Sequence, residues 1–425
     1  MMKQDTRPRH AEFTVFGLTP RVGRWVFVGL GLIAMLSMGT VYSWSIFRRP
    51  LQELYGFQSR ESLLPFTVLL VVYALFMPLA GSQMHRFGPR RTMALGGGLM
   101  ALGYMLASGA TSLLPLTLTY GLLGGAGVGI AYGVPMAVAA AWFPDKKGLA
   151  IGLTVVGFGL SPLVTAPLAG FVIRQVGVPT TFRLLGLGFG LILLGVAFCM
   201  RLPPLDWWPG KSGGAAPPVP PPAPSVGILF RKPLFHVLCA CYTIGTFAGL
   251  SAIGISGSVA QEMIRISPER TALLVSIFAV FNGLGRPLFG WLADRFQPHR
   301  AATLAFGLLL TASIMMLFAD EGRVALYAIS FALLWLSLGG WLALAPTATL
   351  KLFDPAQYAG NYGWVFISYG VGAFLGTMVA GSFRDLFGSY AHLFPLNIVL
   401  SLLGMVLAFF FLRERTEEPG GGRSG

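Results

Sequence analysis

The chain has 425 residues, 55% hydrophobic and 11% charged, with 30 Lys/Arg against 16 Asp/Glu. A soluble domain averages about 25% charged residues and cannot hide repeated apolar runs of about 20 residues, the length that spans a bilayer. The composition therefore excludes a soluble globular protein and predicts an all-α membrane protein; the basic residues lie scattered in short loops, which argues against nucleic-acid binding.

The first 24 residues are polar and basic, with Lys3, Arg7, Arg9, Arg21 and Arg24, and read as a cytoplasmic tail. The apolar run that follows is a full span, longer than the core of a signal peptide, so an uncleaved first helix is predicted. Apolar runs at about 25–47, 62–83, 93–112, 115–140, 148–173 and 183–200 predict six helices within residues 25–200. Residues 201–234 interrupt the pattern. Their stretch Pro217-Pro-Val-Pro-Pro-Pro-Ala-Pro224 is extended and cannot cross a membrane, so it reads as a cytoplasmic linker, with Trp207 and Trp208 as an interfacial anchor. Runs at about 235–258, 271–293, 301–319, 324–350, 361–383 and 391–412 predict six more helices within 235–412, and 413–425 a second cytoplasmic tail.

Charge checks the count. With the N-terminus inside, 20 of the 30 Lys/Arg fall in cytoplasmic segments and 9, Arg48 and Arg49 among them, on the opposite side. That bias agrees with the positive-inside rule for twelve spans and predicts a multi-pass plasma-membrane protein (inner membrane if bacterial) with both termini cytoplasmic. Arg286 completes the thirty and stands alone inside an apolar segment, Thr271–Ala293.

The two sets of six echo each other. Gly81-Ser-Gln-Met-His85-Arg86-Phe87 recurs 209 residues later as Gly290-Trp-Leu-Ala-Asp294-Arg295-Phe296, and Gly170 and Gly177 recur 211 residues later as Gly381 and Gly388. Transporters built as two parallel repeats bind substrate near the midplane, between the halves.

These residues carry a resemblance. Gly81–Arg91 (GSQMHRFGPRR) resembles the loop signature of the major facilitator superfamily, with His85 where an acid is usual; the second copy keeps Asp294 and Arg295 but has Gln297 in place of the glycine. The resemblance implies that Gly81, Arg86, Arg90, Asp294 and Arg295 stabilise one gating state; simple positive-inside anchoring is the alternative. Gly39–Phe47, Trp142–Ala150, Asn282-Gly-Leu-Gly-Arg-Pro287 and Asn361-Tyr-Gly363 together resemble the oxalate/formate antiporter family and the monocarboxylate transporters. Two positions depart. The oxalate exchanger pattern has a lysine eight residues after the Asn361 position, where this chain has Tyr369. The animal monocarboxylate pattern has an aspartate four residues before the arginine, where this chain has Asn282.

A lone cation at the middle of a membrane helix costs about 2.5–3.5 kcal/mol on insertion scales, so its retention points to a use. Arg286 offers a planar fork that takes a carboxylate with two hydrogen bonds, and Asn282 lies one turn before it on the same face. Asn282 is expected to donate to the same anion or to steady the guanidinium. No acid falls within a predicted span, and Pro287 bends the helix beside the charge. The alternative is a buried arginine tied to backbone carbonyls. Gly121, Gly125, Gly129 and Gly133 form a bare strip for close helix contact. Tyr132 beside it, and mid-span Trp341, are candidate cavity walls, with ordinary packing as the alternative. The resemblance adds Val41, Tyr42, Phe158, Ser368 and Tyr369 to the cavity lining. Cys199, Cys239 and Cys241 read as buried thiols, and no histidine falls at mid-membrane.

The expectation is a secondary transporter of small organic anions, chiefly a monocarboxylate of the lactate, pyruvate or formate type. It would work by alternating access, as a monomer, without metal or cofactor, and with a proton carried alongside the anion; exchange of one anion for another is the alternative coupling. Two alternatives stand: a dicarboxylate/formate exchanger and, from another class, a transporter-like nutrient sensor, disfavoured by tails of about 24 and 13 residues. An enzyme is not expected, since no buried acid pair or Cys–His pair is visible.

Overall fold

The computed structural model describes residues 14–204, 229–354 and 358–413. Most of the predicted tails and linker, with Trp207 and Trp208, lie outside these residues.

Within them the chain is helical, and twelve spans follow one another closely along the predicted register. Span 1 runs from Pro20–Met38 through a tight 3-10 turn, Gly39–Ser43, into Trp44–Tyr55. Spans 2 and 3 form one element, Ser59–Ala107, folded at Gly88, and spans 5 and 6 another, Lys147–Cys199, folded at Gly177. Span 4 comprises Leu113–Leu116, a widened turn at Thr117–Gly124, and Gly125–Trp142. Spans 7 to 11 are Pro233–Glu262, Pro268–Phe296, Pro298–Met316, Val324–Leu352 and Tyr358–Phe387; span 12, Leu393–Phe411, follows the turn Tyr390–His392. An even number of spans puts both chain ends on one side, here termed the terminal side.

Four turning points carry the sequence repeat into three dimensions. Gly88 (φ 76, ψ 166) and Gly177 (φ 78, ψ 169) reverse the chain within a single residue, and Gly388 (φ 71) stands where the repeat sets Gly177's counterpart. The fourth is Gln297, at φ 72 and ψ 153, the same backbone state as Gly88 without the glycine. That region is nearly glycine-only, at a cost of about 1–3 kcal/mol for another residue. The turn is kept although the side chain opposes it, which marks the reversal as obligatory.

The spans pack through small residues and internally bonded hydroxyls, as helices in lipid do. A methyl on Gly121, Gly125 or Gly129 would lie 2.9, 2.6 or 2.7 Å from span 2, so three of the four strip glycines permit that contact, while Gly133 faces open space. Thr67, Thr154 and Thr349 each donate to the carbonyl four residues earlier, satisfying hydroxyls that no water reaches. Leu191, Phe198 and Leu386 are more than three-quarters exposed and form part of the apolar outer face.

Three seams join the halves. Span 2 meets span 11 through Thr67 and Thr377, whose hydroxyls are 2.5 Å apart. Span 5 meets span 8, where Ser276 donates to the Pro162 carbonyl at 3.3 Å. Span 1 meets span 7 on the side away from the termini, where Ser256 donates to Ser45 at 3.1 Å.

One expectation is corrected. Arg286 is not alone among cations buried in the helices. Arg48, counted among the cations beyond the spans on the side opposite the cytoplasm, is fully buried, and Arg24, counted in the basic tail, is 7% exposed within the first helix. The apolar run ends near residue 47, but the helix continues to Tyr55 and carries Arg48 between spans 2, 7 and 12.

Candidate functional site

Arg286 extends from span 8 towards span 5. Its Nη1 donates to the Val155 carbonyl at 2.5 Å, and its Cζ stands 6.0 Å from the centre of the Phe158 ring. Its Nε and Nη2 are buried without a hydrogen-bond partner. Among the described residues no carboxylate pairs with it; the ion pairs lie at the ends of spans. A buried cation with a single neutral acceptor is short of partners, and a carboxylate supplies what it lacks.

Aromatic rings drawn from both halves cluster about Phe158, the ring nearest this group. From the first half come Tyr42, Tyr73, Tyr132 and Phe158. Phe158 lies 5.1 Å from Tyr42 and 5.2 Å from Tyr132, edge to face. From the second half, Tyr369 and Phe366 stack at 5.0 Å, and Tyr73 reaches both, at 5.7 and 5.4 Å. Tyr42 and Tyr369 share a hydrogen bond at 3.0 Å that crosses between the halves. The 3-10 turn at Gly39–Ser43 positions Tyr42. Its glycine is required there, since a methyl on Gly39 would sit 2.3 Å from the Phe158 carbonyl oxygen.

Asn282 is on the same helix face as Arg286, one turn away, and fully buried. Its Nδ2 donates to the Trp335 carbonyl of span 10 at 3.0 Å, and its Oδ1 is left unpaired, facing Gly159 at the distance where a methyl would clash. In this conformation its amide holds spans 8 and 10 together. The close approach depends on Gly339, where a methyl would lie 2.1 Å from the Asn282 carbonyl oxygen.

The remaining candidates are more dispersed. Trp341 is fully buried within the second half, 5.0 Å from Phe306 and 6.2 Å from Tyr242, and meets the aromatic cluster through Tyr242. Its Nε1 has no partner. Val41 is buried in the 3-10 turn, and Ser368 lies beside span 7, its carbonyl accepting from Thr243 at 3.4 Å. At the terminal side, Asp294 pairs with Lys351 at 2.9 Å, Arg90 donates to the Met200 carbonyl at 3.2 Å, and Arg86 and Arg295 are exposed. Gly81 lies in the last part of span 2.

Sequence reasoning missed Tyr73, Phe366 and Tyr242. Their signal was an unusual density of aromatic residues at mid-span depth in spans 2, 7 and 11, which in an isolated helix cannot be told from packing.

Comparison with known proteins agrees with this geometry. The family described as Major Facilitator Superfamily matches residues 26–256 and 242–425. The oxalate:formate antiporter of Oxalobacter formigenes is 30% identical over 394 residues, covering 92% of this chain and 91% of that protein. Monocarboxylate transporter 13 of Bos taurus is 28% identical over 348 residues, 80% of this chain and 79% of that protein. Among solved structures, a bacterial homolog of the human lysosomal transporter Spinster, inward-facing and unoccupied, superposes with a TM-score of 0.70 at 17% identity, covering 91% of this chain and 95% of that one. With a family match over nearly its whole length, twelve helices in two repeated halves and an unneutralised cation between them, the chain belongs to the major facilitator superfamily.

Proposed function

We propose that this protein is a secondary transporter of small organic anions, chiefly monocarboxylates of the lactate, pyruvate or formate class, working by alternating access with Arg286 as the carboxylate receptor. The observation that carries this reading is the pair of buried, unpartnered nitrogens on Arg286 within a cluster of rings that holds no carboxylate. In a site of low dielectric, an unneutralised guanidinium favours an anion far more than it would in water. The carboxylate takes two N–H bonds of the fork, and Phe158, Tyr42 and Tyr73 receive a short apolar tail. The similarity to an oxalate:formate antiporter and to a monocarboxylate transporter supports the substrate class.

One fixed charge suits one carboxylate. A dianion at this site would hold a second charge unpaired, which is costly. A proton travels with the anion as its neutralising partner, since no acid pairs with Arg286 to carry it. The Tyr42–Tyr369 bond is the central contact that substrate remakes as the halves, residues 25–200 and 235–412, rock about the site. Asp294, through its ion pair with Lys351, and Arg90 brace the terminal side, with Gly81, Arg86 and Arg295 in the same gating loops. Both termini and the 201–234 linker are cytoplasmic on this reading, in keeping with the bias of positive charge, and the protein acts in the plasma membrane as a monomer.

Proteoliposomes carrying Arg286→Ala are expected to lose uptake of labelled lactate entirely; normal uptake would remove Arg286 from the site. The 30% identity to the oxalate:formate antiporter favours a second reading, dicarboxylate exchange. Strong competition by oxalate for labelled lactate uptake would select it.

A further inference from the structure

Arg48 is the most completely enclosed charge described, and the transport reading above gives it no role. It is 0% exposed, and all five of its N–H bonds have an acceptor. Nε donates to the Ser62 hydroxyl at 3.1 Å. Nη1 donates to the Gly254 carbonyl at 3.4 Å and the Ser258 hydroxyl at 2.9 Å. Nη2 donates to the Ser59 carbonyl at 3.1 Å and the Tyr390 hydroxyl at 2.9 Å. Every acceptor is neutral. Two residues, Ser59 and Ser62, are at the start of span 2, in Arg48's own half. The other three, Gly254, Ser258 and Tyr390, belong to the opposite half.

The seam around it is closed by more than this one group. The Asp385 carboxylate accepts from the backbone N–H groups of Ser59 and Arg60 at 2.9 and 2.8 Å, bridging span 11 to the start of span 2. Tyr390 also lines a cavity of about 490 Å³ on this side, together with Arg49, Glu262, Arg265 and Arg384. Arg384 is paired with Glu262, and Arg49 with Glu53, which also lines the cavity; Arg265 has no ion pair among the described residues. The lining therefore carries a net positive charge, and Tyr390 links it to Arg48.

Parting of the halves on this side must strip Arg48 of three acceptors and leave it with Ser59 and Ser62. A guanidinium so exposed in a narrow mouth binds a carboxylate through the N–H bonds just freed, and the positive lining draws anions towards it. We infer that Arg48 is a second carboxylate-receiving group. It would be engaged only when the side away from the termini is open, and traded back to neutral oxygens of the opposite half when that side closes. The closed seam and the anion then compete for the same N–H bonds. Closure expels the anion from Arg48 inward, where Arg286 lacks partners. This rests on the transport reading and assigns Arg48 as the substrate's first contact on that side.

The test uses the full chain in oriented proteoliposomes, with half-saturation for labelled lactate measured from each side, and lactate-induced thermal stabilisation measured in detergent. Arg48→Gln is expected to raise half-saturation from the Arg48 side by about tenfold or more, as loss of a charge-assisted bond does. Half-saturation from the terminal side and lactate stabilisation should be retained. Arg48→Lys, which keeps the charge, is expected to recover most of the loss. Unchanged half-saturation in the Gln variant, or a Lys variant as impaired as the Gln, would overturn the inference. Tyr390→Phe keeps the charge and removes one competing acceptor, so it should lower half-saturation from the Arg48 side; a rise or no change counts against the competition even where the Gln variant does not fold. Failure of the central site is distinguishable: Arg286→Ala loses lactate stabilisation in detergent and uptake from both sides.

Discussion

Three buried arginines solve the same problem in three ways. Arg24, on span 1 at the terminal side, meets a carboxylate: Asp145 accepts from it at 2.5 and 3.0 Å. Arg48, near the opposite mouth, has five N–H bonds on neutral oxygens from both halves. Arg286, between them in depth, has one acceptor and two idle nitrogens. The first is an ion pair, the second a seam, the third a vacancy. Burial alone therefore does not distinguish a cation whose N–H bonds are all met in the closed seam from one still short of acceptors; the account of N–H bonds does.

The comparison breaks most visibly if function and stability fail to separate. Arg286→Met removes a poorly partnered cation, so transport is expected to vanish while the melting temperature holds or rises, because replacing a buried charge by a hydrophobic residue is often neutral or stabilising. Arg48→Met has the opposite expectation for stability. It strands several buried oxygens at about 1–3 kcal/mol each, so the melting temperature should fall by several degrees or the protein should fail to accumulate. Equal thermal effects of the two variants would void the distinction.

Tyr42→Phe sharpens the contrast at the central site. It removes the Tyr42–Tyr369 hydrogen bond, which joins the two halves within the aromatic cluster and is worth about 0.5–1.5 kcal/mol. Turnover should change severalfold while lactate stabilisation persists; complete loss of stabilisation would make the hydroxyl a primary ligand. Smallest is the Arg24 pair. The hydrogen bond from Arg24 holds the Asp145 carboxyl below the usual aspartate range. A depressed native value means the pair's stabilisation is complete above the unfolded-state value and is lost as pH falls through the native one. Melting temperature measured downward from neutral pH should decline with a component that Asp145→Asn removes; parallel curves for the two proteins would deny the pair a role.

Much of this was legible in the sequence. Apolar run length gave the spans, and the 209- and 211-residue echoes marked three of the four turning points by glycine and the fourth by Gln297. Arg286 was legible because no other charge falls within its apolar segment. Arg48 was not, because it follows an apolar run beside Arg49 and two residues before Pro50, where a sequence reading ends the helix. Asn282 illustrates a different limit. Helical periodicity set it on the face of Arg286, but its amide turns to the Trp335 carbonyl, a partner 53 residues away that local spacing does not reveal. The aromatic cluster was half legible for the same reason: Tyr42, Tyr132, Phe158 and Tyr369 came with motifs, while Tyr73 and Phe366 acquire meaning only when spans 2 and 11 meet.

The single-residue reversals at Gly88 and Gln297 have a mechanical consequence. A loop of several residues is a tether, and lets the helices it joins slide, tilt or separate by its own slack. A reversal of one residue has none. Spans 2 and 3, and likewise 8 and 9, are each coupled like the two arms of a bent lever. Displacement of span 8, which carries Arg286, is therefore transmitted through Gln297 to span 9, at the periphery of the second half, and the strain held in that residue's backbone travels with it.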